Sequence, residues 1–214
     1  MEISNLKLEN VSFSYGNTPV LSDINYEFNS GKIYAIVGKS GAGKTTLLSI
    51  LSGLANPTSG SITCNGENLK KMNKYDFRRR YVGVIFQNFN LLTKLTALEN
   101  VILSMDISGV KIDDQKEKAY SLLERVGLSR EEADRRILKL SGGQQQRVAI
   151  ARALSYEPDF ILADEPTGNL DGETQDEIIK ILRGLADNGK CVIVVTHSPE
   201  VAKKADEVYK LARA

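Results

Sequence analysis

The sequence predicts an α/β fold, and three observations predict it. Several short segments are apolar throughout, as in strands buried on both faces of a parallel sheet: Ile33–Val37, Phe160–Asp164 and Cys191–Thr196. Segments with helical periodicity alternate with them, as in βαβ units. A glycine-rich stretch, residues 38–46, joins the first such strand to the first such helix.

Taken in order, residues 3–30 alternate apolar and polar, which predicts an antiparallel pair, Ser4–Phe13 and Leu21–Phe28. Tyr15-Gly16-Asn17 supplies the turn chemistry between them. This pair forms an N-terminal antiparallel β subdomain. Ile33–Val37 follows, then a helix from about Gly43 to Leu54 carrying Leu47, Leu48, Ile50 and Leu51. Tyr81–Phe86 reads as a further strand. From Asn88 to Lys139 the pattern turns helical. Ala119, Leu122, Leu123 and Val126 fall at i, i+3, i+4 and i+7, so Asp113–Val126 is a helix with one apolar stripe. Alternation then resumes with a helix over Gly142–Ala153, the strand Phe160–Asp164, a helix over Glu173–Ala186 and the strand Cys191–Thr196. The expected organisation is a single domain over residues 1–214, with a helical insertion at about 88–140.

Composition bounds the function classes. The 214 residues are 42% hydrophobic and 26% charged, ordinary for a globular chain with one substantial core. The net charge of +1 gives no electrostatic argument for nucleic acid or an anionic lipid surface. The run Arg78-Arg79-Arg80 is short and suits a solvated helix face. Cys64 and Cys191 lie far apart, so a reduced chain without a disulfide is expected. The N-terminus lacks a secretory leader pattern, and no apolar run reaches the roughly 18–20 residues of a membrane span.

Gly38-Lys39-Ser40-Gly41-Ala42-Gly43-Lys44-Thr45-Thr46 matches G-x-x-x-x-G-K-[ST] between a strand and a helix. Glycines let backbone N–H groups approach phosphate oxygens, and the helix N-terminus adds a favourable dipole. Lys44 is placed for the β/γ-phosphates and Thr45 for Mg²⁺. The fold class narrows to a P-loop NTPase core. Asp164 and Glu165 end a buried strand, where a carboxylate is costly without a cation. Asp164 is therefore assigned to the metal, and Glu165 to polarising the attacking water as general base. His197 and Gln87 also follow core strands, at the carboxyl ends where open α/β sheets bind ligands. Gln87 suits contact with the metal or the attacking water, at the hinge into the insertion. Tyr15 can stack on adenine or simply pack.

Leu140-Ser141-Gly142-Gly143-Gln144 is the most specific feature. Its small residues leave backbone N–H groups open, and Ser141 is placed to cap the following helix. This is a second anion-binding helix end, suited to the nucleotide of a partner subunit. Asp171, after Gly168-Asn169-Leu170, can cap the helix from Glu173.

In this order, Tyr15, the loop at 38–46, Gln87, the run at 140–144, Asp164-Glu165, Asp171 and His197 resemble the A-loop, Walker A, Q-loop, signature, Walker B, D-loop and H-loop of an ATP-binding-cassette ATPase. The resemblance covers essentially the whole chain. Residues 164–171 and 81–92 are similar to the subgroup of macrolide and antimicrobial-peptide exporters, lipoprotein-releasing systems and the cell-division cassette. Gly168-Asn169 stands where many other cassettes have Ser-Ala, in keeping with that subgroup. The C-terminal regulatory extension of sugar-importer cassettes is not matched. The resemblance implies a homodimer enclosing two ATPs with Mg²⁺. Each site would use one subunit's Walker motifs, Gln87, Glu165 and His197, and the other's Ser141, Gly143 and Asp171, with Gln144 in the same signature. It implies an integral-membrane permease as partner, an extracytoplasmic adaptor as an optional further one, and a place on the cytoplasmic face of the membrane. Export of a drug, peptide or lipoprotein is the expected use, and transmembrane signalling of the cell-division type the alternative. Soluble cassettes acting on ribosomes or DNA fit less well, because only one set of motifs is present and the insertion is too short for a coiled coil. The apolar segment Asn88-Phe89-Asn90-Leu91-Leu92 suggests that residues 88–105 line a pocket for a permease helix.

Overall fold

The segments read as buried strands assemble side by side in a computed structural model that describes residues 4–214. Residues 1–3, part of the leader reading, lie outside it. Strands β1 (Asn5–Tyr15) and β2 (Thr18–Asn29) form an antiparallel hairpin. Its two-residue turn puts Gly16 at φ +57°, where a glycine is at ease. Tyr15 is thus the last strand residue rather than part of the turn. β3 (Ile33–Val37) leads through the glycine-rich loop into α1 (Lys44–Leu51).

Next come β4 (Ser59–Cys64), β5 (Glu67–Asn68) and α2 (Lys74–Tyr81); of these the sequence reading marked out only a helix face at Arg78-Arg79-Arg80, which lies on α2. Tyr81, assigned there to a strand, ends α2, and β6 is confined to Val82–Ile85. Residues 86–96 are irregular rather than helical, so the helices of the insertion begin with α3 (Ala97–Ser108). α4 (Gln115–Arg125), α5 (Arg130–Ala133) and a 3-10 turn at Ile137–Lys139 complete it. The remaining elements are α6 (Gly142–Leu154), β7 (Phe160–Asp164), α7 (Gly172–Asp187), β8 (Cys191–Thr196), α8 (Pro199–Lys203) and β9 (Glu207–Lys210). α8 and β9 also went unread in the sequence.

Two sheets result. The antiparallel sheet runs β2-β1-β4-β5, and the parallel sheet runs β6-β7-β8-β3-β9. Side chains of the parallel sheet alternate between two cores, as a period of two demands. Ile85, Ile161, Ala163, Val192 and Val194 face the helices of the insertion, α6 and α7. Val82, Phe160, Leu162, Ile193 and Val195 face α1, α2 and the antiparallel sheet. Burial on both faces explains why these strands read as unbroken apolar runs. Parallel strands carry all their carboxyl ends to one edge of the sheet, and the motif residues gather there.

Candidate active site

The phosphate loop opens α1 without a side-chain cap, since Gly43 occupies the N-cap at φ +90°. A Cβ at Gly43 would lie 2.9 Å from both Leu21 Cδ2 and Val20 Cγ1. Gly41, at φ +77°, has open space around it. The first N–H groups of α1 are left for an external anion. Ser40, Gly41, Gly43, Lys44, Thr45 and Thr46 line a cleft of about 370 Å³ together with Val20, Gln87, Asp164 and Glu165. The structure therefore brings together the phosphate loop, the strand-end acids and Gln87, from three separate parts of the chain. Gly38, Lys39 and Ala42 shape the loop instead. A Cβ at Gly38 would lie 2.7 Å from the Leu211 carbonyl oxygen, and Ala42 is buried. Lys44 Nζ donates to the carbonyls of Gly38 and Lys39 at 2.9 and 3.2 Å, so its ammonium folds across the loop.

Thr45 Oγ1 donates to Asp164 Oδ2 at 3.2 Å. Burial holds the Asp164 carboxyl above its ordinary range, with the hydroxyl of Thr45 opposing. Glu165 sits just beyond β7 at φ +45°, an uncommon backbone for a residue with a Cβ. Its carboxylate faces His197: Nδ1 lies 2.7 Å from Oε1, and the His197 N–H donates to Oε2 at 3.3 Å. The carboxylate accepts, so Nδ1 carries the proton and Nε2 is free to meet a ligand. His197 is 70% exposed and Glu165 only 12%, so histidine forms the outer member of the pair. Gln87 lies in the turn two residues past β6, rather than at the strand's last position. Asn169 Nδ2 donates to the Gln87 carbonyl at 3.4 Å, and a Cβ at Gly168 would sit 3.3 Å from Gln87 Nε2. The loop at 87 and the loop at 168–169 therefore touch.

The remaining motif residues stand apart from this cleft. Ser141 caps α6 in a reciprocal box: Gln144 N donates to Ser141 Oγ at 3.2 Å, and Ser141 N to Gln144 Oε1 at 2.9 Å. Gln144 Nε2 also binds Glu132 at 2.7 Å, so its amide is committed to holding α6 against α5. Asp171 caps α7, taking Thr174 N–H and Oγ1 at 2.9 Å each. A Cβ at Gly143 would lie 2.6 Å from Thr174 Cγ2, so the starts of α6 and α7 abut. None of Ser141, Gly143, Gln144 or Asp171 lines the phosphate cleft of the same chain. Tyr15 is 64% exposed and stands edge-on to Phe13, 4.9 Å between ring centroids.

Sequence reasoning missed Arg152. Its half-buried guanidinium, carried on α6, donates to the carbonyls of Phe89 (2.8 Å) and Asn90, both left-handed at φ +58° and +49°. A lone arginine in the apolar run Val148–Leu154 was the available signal. Arg152 also lines a groove of about 320 Å³ with Leu54, Arg78, Phe86, Asn90, Ser104 and Tyr156. Of residues 88–105, Asn90 and Ser104 line it. Leu91 packs against the core, and Leu92 is half exposed.

Among the described residues no helix is long and apolar enough to cross a membrane. Residues 21–168 match the family model described as ABC transporter. The uncharacterized ABC transporter ATP-binding protein YclH of Bacillus subtilis (strain 168) is 44% identical over 99% of this chain and 95% of its own length. The macrolide export ATP-binding/permease protein MacB of Syntrophobacter fumaroxidans is 42% identical over 91% of this chain, which corresponds to only 28% of that protein. Among solved structures, the dimeric post-hydrolysis state of the ATP-binding cassette MJ0796, bound to ADP and Pi, superposes with a TM-score of 0.88 at 37% identity, covering 97% of this chain and 94% of that one. Gathered phosphate loop, strand-end acids and family match lead to one conclusion: this chain belongs to the ABC transporter ATP-binding family and is an α/β nucleotide-binding ATPase cassette.

Proposed function

We propose that two copies of the chain close head to tail around two ATPs and that closure drives a separate membrane permease in export. The observation carrying this reading is the split of the motif residues. Cleft and acids lie together, while the open helix end at Ser141–Gly143 lies outside the cleft and is free to serve a second copy's nucleotide. MJ0796, described as a dimer, supports the same arrangement.

In the cleft, backbone N–H groups of Gly41–Thr45 and Lys44 Nζ hold the β- and γ-phosphates. Lys44 exchanges its two carbonyl contacts for phosphate oxygens. The hydroxyl of Thr45 and the carboxylate of Asp164 are hard oxygen donors on one wall, and Gln87 adds an amide oxygen, a set that fits Mg²⁺. When bound, Mg²⁺ neutralises phosphate charge. Glu165 accepts a proton from the attacking water, and His197 orients that carboxylate and presents Nε2 toward the γ-phosphate. Ser141 and Gly143 of the second copy complete the phosphate shell, with Asp171 beside them. Tyr15 stacks on adenine.

The groove holding Leu54, Phe86, Asn90 and Arg152 receives a short cytoplasmic helix of the permease, which places the chain at the inner membrane face. Likeness to MacB favours export over signalling, and the permease that copurifies from detergent-solubilised membranes decides between them.

Glu165→Gln tests the chemistry. ATP binding should persist, turnover should fall by at least a hundredfold, and an ATP-bound dimer should accumulate in gel filtration. Turnover near that of the wild type, with permease present, removes Glu165 from the role of base.

A further inference from the structure

The signature helix carries a buried amide with nothing to bind. Gln146 is 0% exposed, and both its Nε2 and Oε1 lack a partner. The only other such side-chain atom among the described residues is Ser155 Oγ. A buried, unpaired amide is costly, and native chains keep few.

Helix and strand periodicity say what it lies above. A Cβ at Gly83 would be 2.5 Å from the Ala153 carbonyl oxygen and 3.1 Å from Ile161 Cδ1, so Ala153 rests on β6 at Gly83. Gln146 precedes Ala153 by seven residues, about two full turns, and so lies on the same face of α6 about 10.5 Å further along. From Gly83 the chain covers about 10 Å in the three residues to Phe86, one past the end of β6. Alternation puts Gly83 and Ile85 on the α6 side of β6, and Ile161 and Ala163 on that side of β7; Gln87 lies two residues past β6 and Glu165 one past β7. Gln146 is thus level with the carboxyl end of β6, where the chain turns toward Gln87. Two further contacts close this junction. Gly143 abuts Thr174, and Asn169 binds the Gln87 carbonyl.

We infer that Gln146 is a positioning residue for ATP hydrolysis: its Oε1 accepts from backbone N–H groups and its Nε2 donates to backbone carbonyls of the 86–88 and 165–168 segments when nucleotide draws them together, and so holds Gln87 and Glu165 in reacting positions. This rests on the assignment of Glu165 as base. A buried amide without those partners is costly, so a state that supplies them is favoured and binding energy is directed into the geometry of the acids.

The test is Gln146→Met in the full-length chain, which keeps the side chain's bulk and removes both polar atoms. Three results are expected together. Without nucleotide, Tm rises by about 2–6 °C, since an unsatisfied amide is gone. The Tm gain on adding the non-hydrolysable analogue adenylyl imidodiphosphate with Mg²⁺ is smaller than that of the wild type. Steady-state kcat for ATP falls at least tenfold while KM stays within twofold. A merely structural amide gives the opposite sign in the first measurement. An unchanged or lower Tm, loss of the fold, an undiminished analogue shift, or kcat within twofold of the wild type each overturns the inference. Glu165→Gln is assayed alongside. If it is inactive while Gln146→Met is active, only this inference falls; if it turns over ATP normally, the assignment of the base falls first.

Discussion

Gly143 shows how closely one atom can be specified. Its missing Cβ would overlap Thr174 Cγ2 at 2.6 Å, so Gly143→Ala forces the starts of α6 and α7 apart. Overpacking of this kind costs about 1–3 kcal/mol. Thr174→Ser removes the clashing methyl and keeps the hydroxyl that Asp171 accepts at 2.9 Å. Thermal melts should therefore show Gly143→Ala lowered by several degrees and the double variant largely restored. A double variant as unstable as the sum of the two singles would mean that the glycine is needed for another reason. At this scale the sequence was informative wherever chemistry demands one residue type. The phosphate loop, Asp164, Glu165 and Gln87 could be read because their roles need glycines, an amine, a hydroxyl, carboxylates and an amide oxygen at set spacings. Arg152 and Gln146 could not be read that way. Their meaning lies in what is buried next to them, and an arginine or glutamine on a helix ordinarily reaches water.

Elements were legible in proportion to their burial. β3, β7 and β8 carry apolar side chains on both faces, and the sequence bounds match the structure. β4 and β9 were missed for the converse reason. Ser59–Cys64 buries only Ile62 and Cys64, and Glu207–Lys210 is a half-exposed edge strand. Each takes its conformation from a neighbour's hydrogen bonds rather than from its own pattern. The segment 88–96 shows the opposite error: it was read as part of a helical stretch, while Arg152 binds the carbonyls of Phe89 and Asn90, which are left-handed. Its consequence for coupling can be measured. Leu54 lines the groove and is 61% exposed, so Leu54→Glu should leave Tm and ATP binding unchanged but abolish stimulation of ATPase activity by the permease. Leu91→Glu should instead lower Tm, because Leu91 packs the core. Full stimulation of Leu54→Glu would place the coupling surface elsewhere.

On the scale of the whole molecule, no single chain holds a complete site under the proposed arrangement. Lys44→Ala damages the cleft half, and Ser141→Arg the half offered to a partner. Either variant alone should be inactive in the membrane complex. Mixed, they should yield heterodimers with one intact composite site, formed by the cleft of the Ser141→Arg chain and the helix end of the Lys44→Ala chain. ATPase activity should return to at most about half of the wild-type value, since one of two sites is whole. Verified heterodimers without activity would argue against sharing between copies. The two-core architecture also has a practical outcome for watching such a dimer open and close. Both native thiols are enclosed in the core between the sheets, and burial raises Cys64 to about 12 and Cys191 further still. At neutral pH about one Cys64 in 10⁵ carries a thiolate, and Cys64 is only 2% exposed. A spin label or fluorophore directed at a single cysteine introduced on the surface would therefore report from that position alone, with the wild-type background left as it is.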